Sequence, residues 1–328
     1  MPTSVTVILC TYNRCRTLAM ALESVAASQM PASVAWDVLV VDNNSNDETP
    51  AVVEEYSRQF PGRFRYFPEH RQGKSYALNT GIREARGEIL AFLDDDVTVE
   101  PTWLQNLTAH VLSGEWIGSG GRIRATQNVD LPSWLALEGS HGLGGVLCGL
   151  FDRGDVPKEL DAAPHGSNMA FHRSVFEKHG YFRTDMGPSS NSDTPRPNED
   201  TEFGRRIMAA GEHLRYEPFA IIYHPVLQER LHKQYFLSWW FDYGRAVTLE
   251  RGVRPDFLGI PRKFLSIPNV FFRALCVHTL QWWLEPNAQR RFFNKCQVWY
   301  TAGEILQTYR RHDRRKGSTQ EIASGRTR

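Results

Sequence analysis

Three apolar runs in the first hundred residues stop on polar side chains able to hold a ligand, and this pattern restricts the fold more than any other feature of the chain. Residues 5–10 (Val-Thr-Val-Ile-Leu-Cys) run into Thr11, Tyr12, Asn13 and Arg14, and residues 36–41 (Trp-Asp-Val-Leu-Val-Val) into Asp42, Asn43, Asn44 and Ser45. Residues 88–93 end in Asp94, Asp95 and Asp96. Each run reads as a buried strand and is followed by a helical pattern. Leu18, Ala21, Leu22 and Val25 share one face after the first, Thr49-Pro50 opens a helix after the second, and Glu100-Pro101 opens one after the third. A short strand at 63–67 precedes another helix that begins at Gly73. Such alternation implies parallel strands joined by right-handed crossovers. In an open parallel sheet ligands bind beyond the carboxyl ends of the strands, so the three polar ends describe one site.

The acidic end has two readings. Adjacent carboxylates raise one another's pKa unless a cation lies between them, and Mg2+ or Mn2+ with a polyphosphate answers that need through oxygen ligands. A solvated acidic turn is the plainer alternative. Further along, residues 166–172 read as a strand, Asn198-Glu199-Asp200 opens a helix that stops at Gly211, and residues 220–224 form a strand ending in His224. Asp200 is either a reactive carboxylate or an acid that satisfies the helix dipole. His224 is equally a metal ligand or a structural strand-end histidine. Lys74, beside Gly73 at a helix start, and Arg71 can each meet phosphate, with solvent-facing charge the alternative for at least one of them. The glycine-rich stretch 139–149 lacks the Lys-Ser/Thr ending and preceding strand of a phosphate loop and reads as a flexible acceptor-side loop. The Gly/Pro/Ser-rich stretch 187–198 reads as a flexible loop, placed directly before Glu199 where a lid would be useful.

At 41% hydrophobic and 23% charged residues, the 328-residue chain has the composition of a globular protein with one large or two moderate domains. Five scattered cysteines without metal-ligand spacing point to free thiols in a reducing compartment. No signal-peptide pattern opens the chain and no apolar run reaches the length of a membrane span, so a cytoplasmic location is expected. The charge is partitioned: residues 228–328 hold 18 Lys+Arg against 8 Asp+Glu, leaving an acidic balance before them. Five of the nine tryptophans also fall there. Basic residues among aromatic pairs suit an anionic membrane surface, and a helical subdomain with an aromatic core is the alternative. The basic excess is diffuse and matches no nucleic-acid motif, so no nucleic-acid partner is expected. Three regions follow: residues 1–227 as a catalytic domain, 228–312 as a helical extension that contacts acceptor or membrane, and 313–328 as a basic disordered tail.

Taken together, residues 7–14 (Val-Ile-Leu-Cys-Thr-Tyr-Asn-Arg), 40–45 (Val-Val-Asp-Asn-Asn-Ser), Gly73 with Ala77 and Asn79, 93–96 (Leu-Asp-Asp-Asp), 166–170 (Gly-Ser-Asn-Met-Ala) and 198–203 (Asn-Glu-Asp-Thr-Glu-Phe) resemble glycosyltransferase family 2 over about residues 4–226. The resemblance implies the α/β GT-A fold, a Rossmann-like, mostly parallel sheet flanked by helices, here with a helical, basic, aromatic-rich extension. It implies a nucleotide-diphospho-sugar donor, with a uridine-diphosphate sugar favoured, and Mn2+ or Mg2+. It also implies inverting transfer to a glycan or lipid-linked acceptor in cell-surface polysaccharide or glycoconjugate synthesis. Thr11 and Asp42 match the positions that hold the base, with Tyr12, Arg14, Asn44 and Lys74 on the donor side. Asp94 and Asp95 match the ribose and metal-approach positions, and Asp96 matches the metal ligand, with His224 as a second. Asp200 matches the general base, and Glu199 beside it faces the acceptor. Asn168 and Met169 fall where the family shapes the donor-sugar or acceptor region. An enzyme of this kind, with a basic aromatic end, is expected in the cytoplasm and peripherally on the inner face of the plasma membrane. A sugar-nucleotide pyrophosphorylase would place a glycine-rich basic loop after the first strand, where Thr11-Tyr-Asn-Arg14 stands. A non-catalytic sugar-nucleotide-binding or scaffold protein would have lost some of Asp42, Asp94, Asp96 and Asp200.

Overall fold

A computed structural model describes residues 4–126, 130–189, 193–195, 198–252, 263–264 and 267–323. The elements in chain order are β1 (Ser4–Thr11), α1 (Cys15–Ala26), β2 (Ala35–Asp42), α2 (Thr49–Gln59), β3 (Phe64–Pro68), α3 (Lys74–Glu84), β4 (Ile89–Asp94), β5 (Thr98–Val99) and α4 (Trp103–Leu112). There follow β6 (Gly118–Ala125), α5 (Gly144–Cys148), β7 (Lys158–Glu159), β8 (Asn168–His172), α6 (Ser174–His179), α7 (Glu199–Ala209) and β9 (Leu214–His224). The last elements are α8 (Lys233–Arg251), β10 (Lys263–Phe264), β11 (Ile267–Pro268), α9 (Asn269–Leu284) and α10 (Ala288–Ala323).

The chain divides into two compact units. The first comprises residues 1–129, 148–194 and 199–227, and the second 130–147, 195–198 and 228–328. The second unit thus takes in residues 130–147, which the sequence alone gives no reason to separate from the catalytic region.

In the first unit the sheet runs β3-β2-β1-β4-β8-β6-β9-β5, with β7 on β9. Strands β3, β2, β1 and β4 pair in parallel, the arrangement expected of the βα repeats. Beyond them the sheet is mixed: β8 is antiparallel to β4 and to β6, and β6 and β9 pair in parallel. Two successive antiparallel steps return β6 and β9 to the direction of β4, so the ends of β1, β2, β4 and β9 lie along one edge. Leu18, Ala21, Leu22 and Val25 are buried on α1, as their spacing requires. Gly81 lets α3 close on β1, since a Cβ there would strike Ile8. The motif residue Asn79 is structural: its amide donates to the Phe182 carbonyl at 2.8 Å and its oxygen accepts from the Phe182 N–H at 2.9 Å.

Two residues assigned to the sugar or acceptor region belong instead to this scaffold. Asn168 is 1% exposed; its Oδ1 accepts from Trp103 Nε1 at 2.8 Å, and its Nδ2 donates to the carbonyls of Arg122 and Ala220, each at 2.9 Å. The β6–β9 ladder breaks between Gly121 and Arg122, where β9 inserts residues 218–220. A buried bulge leaves carbonyls without ladder partners, and the Asn168 amide supplies them. Met169 is fully buried in the main core. The strand that holds both residues faces the interior on both sides, and both side chains are buried within the scaffold.

In the second unit α10 packs on α8 and α9. Gly244 and Gly303 sit at the α8–α10 crossing, where a Cβ on either would collide with the Tyr300 or Phe241 carbonyl. Most of the unit's aromatics pack on one another. Trp134 contacts Phe236 and Phe292, Trp240 contacts Phe293 and Tyr300, and Trp282 contacts Trp299. Trp239, Trp240, Trp282 and Trp299 are half-buried, and Trp283 is 82% exposed. α10 extends to Ala323, so the backbone of 313–323, expected to be disordered, is helical. That run holds one glycine and no proline, so nothing in it ends the helix. Residues 324–328 and part of the expected flexible loop 187–198 lie outside the described residues. Among the described residues no helix is long and apolar enough to cross a membrane, and the five cysteines are free.

Candidate functional site

The register of the parallel half fixes the floor of the site. Thr11 pairs with Asp42 across β1 and β2, and Cys10 with Asp94 across β1 and β4, so the polar ends converge. Asp42 is buried; its Oδ1 accepts from the Ser45 N–H at 2.9 Å and its Oδ2 from the Tyr66 hydroxyl at 2.8 Å. Asn13 and Asn44 take positive φ values of 52° and 72°, conformations that asparagine tolerates. They turn the chain sharply at both strand ends and leave Tyr12 and Asn44 exposed beside Asp42. Thr11 is buried, with its hydroxyl toward Asp95.

The three acidic residues have different surroundings. Burial would raise the Asp94 pKa, but Lys74, whose Nζ donates to Asp94 Oδ1 at 2.7 Å, outweighs it and holds the group low. Asp95 is 6% exposed; burial, against the pull of Arg14, moves its pKa up to about 6. Arg14 Nη1 reaches Asp95 Oδ1 at 3.1 Å and Asp96 Oδ2 at 2.7 Å. Asp94, Asp96 and His224 each offer a ligand atom, and these atoms lie within 4.8 Å of one another. His224 Nδ1 is 3.0 Å from the Pro225 carbonyl, and Nε2 is 3.7 Å from Asp96 Oδ1. A proton on Nδ1, donated to that carbonyl, leaves the Nε2 lone pair facing the carboxylates. Two carboxylates and one imidazole suit Mn2+, and their oxygens alone suit Mg2+. The donor set therefore fits a divalent cation.

Opposite this cluster is the start of α7. Asp200 is fixed by backbone: Oδ2 accepts from the Gly166 N–H and Oδ1 from the Thr201 N–H, both at 2.6 Å. Glu199 is 4% exposed and lies against Gly187, whose φ of 96° and missing side chain admit it. Burial first and Asp200 second move its pKa up to about 8. Lys74 Nζ stands 3.8 Å from Glu199 Oε1, which alone would lower that pKa. The lysine is committed to Asp94 at the shorter distance, so burial prevails. Lys74 thus links the acidic cluster to the start of α7. Arg71 is paired with Glu69 and stacked on Tyr76, and does not face the cluster as a free cation.

Several neighbours are not evident from the sequence motifs. Asn43 shapes the turn before α3, accepting from the Gly73 N–H at 2.7 Å and donating to the carbonyls of Glu69 and Arg71. Glu69 is buried among Arg71 and Thr80, and these hydrogen bonds take its pKa down to about 2. His165 is half-buried beside Gly166, and burial lowers its pKa despite nearby Asp200 and Asp94. Its one visible signal was adjacency to the Gly166-Ser-Asn motif.

Residues 6–180 match the family model described as Glycosyl transferase family 2. The chain is 27% identical over 223 residues to the succinoglycan biosynthesis protein ExoM of Rhizobium meliloti (strain 1021), a match covering 68% of this chain and 67% of the other. It is 26% identical over 255 residues to the glucosyl-dolichyl phosphate glucuronosyltransferase of Haloferax volcanii, covering 74% and 76%. Among solved structures, the mannosyltransferase PcManGT from Pyrobaculum calidifontis in complex with GDP-Man and Mn2+ superimposes with a TM-score of 0.57. That superposition has 18% identity and covers 93% of this chain and 87% of that one, a likeness of fold. The class defined by sheet and site is the GT-A glycosyltransferase. This chain belongs to glycosyltransferase family 2.

Proposed function

We propose that the protein is an inverting, metal-dependent hexosyltransferase. It moves a sugar from a nucleotide-diphospho-sugar to a hydroxyl of a glycan or lipid-linked acceptor in the synthesis of cell-surface polysaccharide or glycoconjugate. The observation that carries this reading is the gathering of Asp94, Asp96 and His224 within 4.8 Å, at strand ends shared with the Thr11–Asp42 pair. A divalent cation held there neutralises charge on the leaving diphosphate. Thr11, Tyr12, Asp42 and Asn44 line the end where the base would lie. Arg14 and Asp95 stand between that end and Asp96, on the path of the ribose and diphosphate.

Inversion requires a base on the face opposite the leaving group. Asp200 takes that role, with its carboxylate oriented by the Gly166 and Thr201 N–H groups. Glu199, moved to about 8, is protonated at neutral pH and offers a donor to the acceptor instead of a second base. The two adjacent carboxylates thereby differ in role.

A uridine-diphosphate sugar is the donor we assign. The similar mannosyltransferase, whose structure contains GDP-Man, makes a guanosine-diphosphate sugar the other arm of the test. Similarity to a succinoglycan biosynthesis protein and to a glucosyl-dolichyl phosphate glucuronosyltransferase supports a polymer or lipid-linked acceptor. Five free cysteines and the basic segment 228–328 support a cytoplasmic, peripheral enzyme at the inner membrane face.

The test incubates both donor classes with Mn2+ and a lipid or oligosaccharide acceptor, and reads the anomeric configuration of the product by NMR. An inverted product supports the reading. A retained configuration, or nucleotide release without transfer, overturns it.

A further inference from the structure

α9 shows two unlike faces. Phe271 is buried and Trp282 packs on Trp299 of α10, which defines the inner face. On the outer face Val277, Leu280, Trp283 and Leu284 are 51%, 56%, 82% and 66% exposed. Their spacing places them on one side of the helix. An outward helix face is ordinarily polar, and a contiguous apolar patch on it marks a surface that meets a partner.

The charges around the patch select that partner. α9 contains no acidic residue, and its only formal charge, Arg273, lies on the outer face and is exposed. Arg290 and Arg291, both exposed, follow in the first turn of α10. Arg291 is held beside the end of α9, donating to the carbonyls of Glu285 at 2.7 Å and Pro286 at 3.0 Å. A second copy would bring together two segments that each hold 18 basic against 8 acidic residues, so self-association through this face is opposed by charge. Sixteen helical residues span about 24 Å, short of the roughly 30 Å hydrocarbon core. The helix can lie in a lipid interface and cannot cross it.

We propose that the outer face of α9 docks the protein on an anionic lipid surface. Val277, Leu280, Trp283 and Leu284 enter the headgroup–acyl boundary, and Arg273, Arg290 and Arg291 meet the phosphates. Arg273 reaches them by extending its charged end past its own apolar stem. This inference names the contact behind a peripheral location and does not depend on the donor or the chemistry of transfer.

The experiment sediments the full chain with vesicles of phosphatidylcholine alone or mixed with phosphatidylglycerol, at low and high salt. It compares wild type with Trp283→Ser/Leu284→Ser and with Arg290→Glu/Arg291→Glu. Wild type is expected to partition onto anionic vesicles, less so at high salt. The serine pair should lose about tenfold or more of that partitioning, and the glutamate pair should lose it on anionic vesicles only. Equal binding by wild type and the serine pair overturns the proposal, as does no binding of wild type at low salt. A dimer that the serine pair dissociates, seen by sedimentation velocity without vesicle binding, assigns the face to a second copy and overturns it as well. Donor titration of the serine pair in solution should match wild type, so that loss of docking is read separately from failure of the transferase reading.

Discussion

Replacing Glu199 with Gln should change how stability depends on pH more than any other single substitution at the site. A carboxyl moved from an ordinary 4.5 to about 8 differs by roughly 5 kcal/mol between its two protonation states. The folded protein therefore binds this proton more tightly than the unfolded chain does, and stability falls as pH rises between those two values. The contribution is fully present below about 4.5 and is lost on passing through about 8. The substituted amide has no proton to lose, so Glu199→Gln should match wild type near the lower end of the window and exceed it increasingly toward the upper end. At about 2–4 °C per kcal/mol the difference in unfolding midpoint should reach roughly 10–20 °C in metal-free protein. Thermal unfolding of both proteins across this range, with the two curves subtracted, isolates Glu199 and its coupling to Asp200 and Lys74, because the remaining titrations are shared. A difference that does not vary with pH, or a wild type that gains on the mutant as pH rises, would refute the reasoning.

Asp200→Asn should bind donor and metal like wild type while transfer falls by about 100-fold or more, because an amide cannot accept the acceptor's proton; isothermal titration beside a turnover assay checks both halves. His224→Ala should weaken Mn2+ binding about tenfold or more with little change in unfolding midpoint, read by titration and by thermal denaturation. Asn168→Ala should cost about 3 kcal/mol or more in denaturant unfolding, since the Trp103 N–H and the Arg122 and Ala220 carbonyls lose their buried partner.

The βα half of the first unit was legible because its signals are local. β-branched runs, helical spacing and proline at helix starts place β1 to β4 and α1 to α4 within a few residues of their observed positions. β6 was missed because Gly118-Ser-Gly-Gly121 has no strand propensity of its own; it pairs because its neighbours exclude side chains, a Cβ at Gly118 striking Phe171 and one at Gly120 striking Pro164. The acidic cluster and α7 were legible as motifs, but the side chain joining them was not. That Lys74 spans Asp94 and Glu199 depends on where α3 lies over the sheet, and residue type alone could equally place it at a phosphate. Asn168 shows the opposite error: a polar motif residue suggested a ligand, when its amide is needed by a bulge that only the β6–β9 register reveals.

The most direct test of the central claim is the dependence of donor binding on the cation held by Asp94, Asp96 and His224. Uridine- and guanosine-diphosphate sugars would be titrated into wild type and Asp96→Ala, each with Mn2+ and with chelator. Binding by wild type with Mn2+, lost on chelation and lost in Asp96→Ala, is the predicted result. Equal affinity under all four conditions would contradict the account and remove the acidic cluster from the donor site.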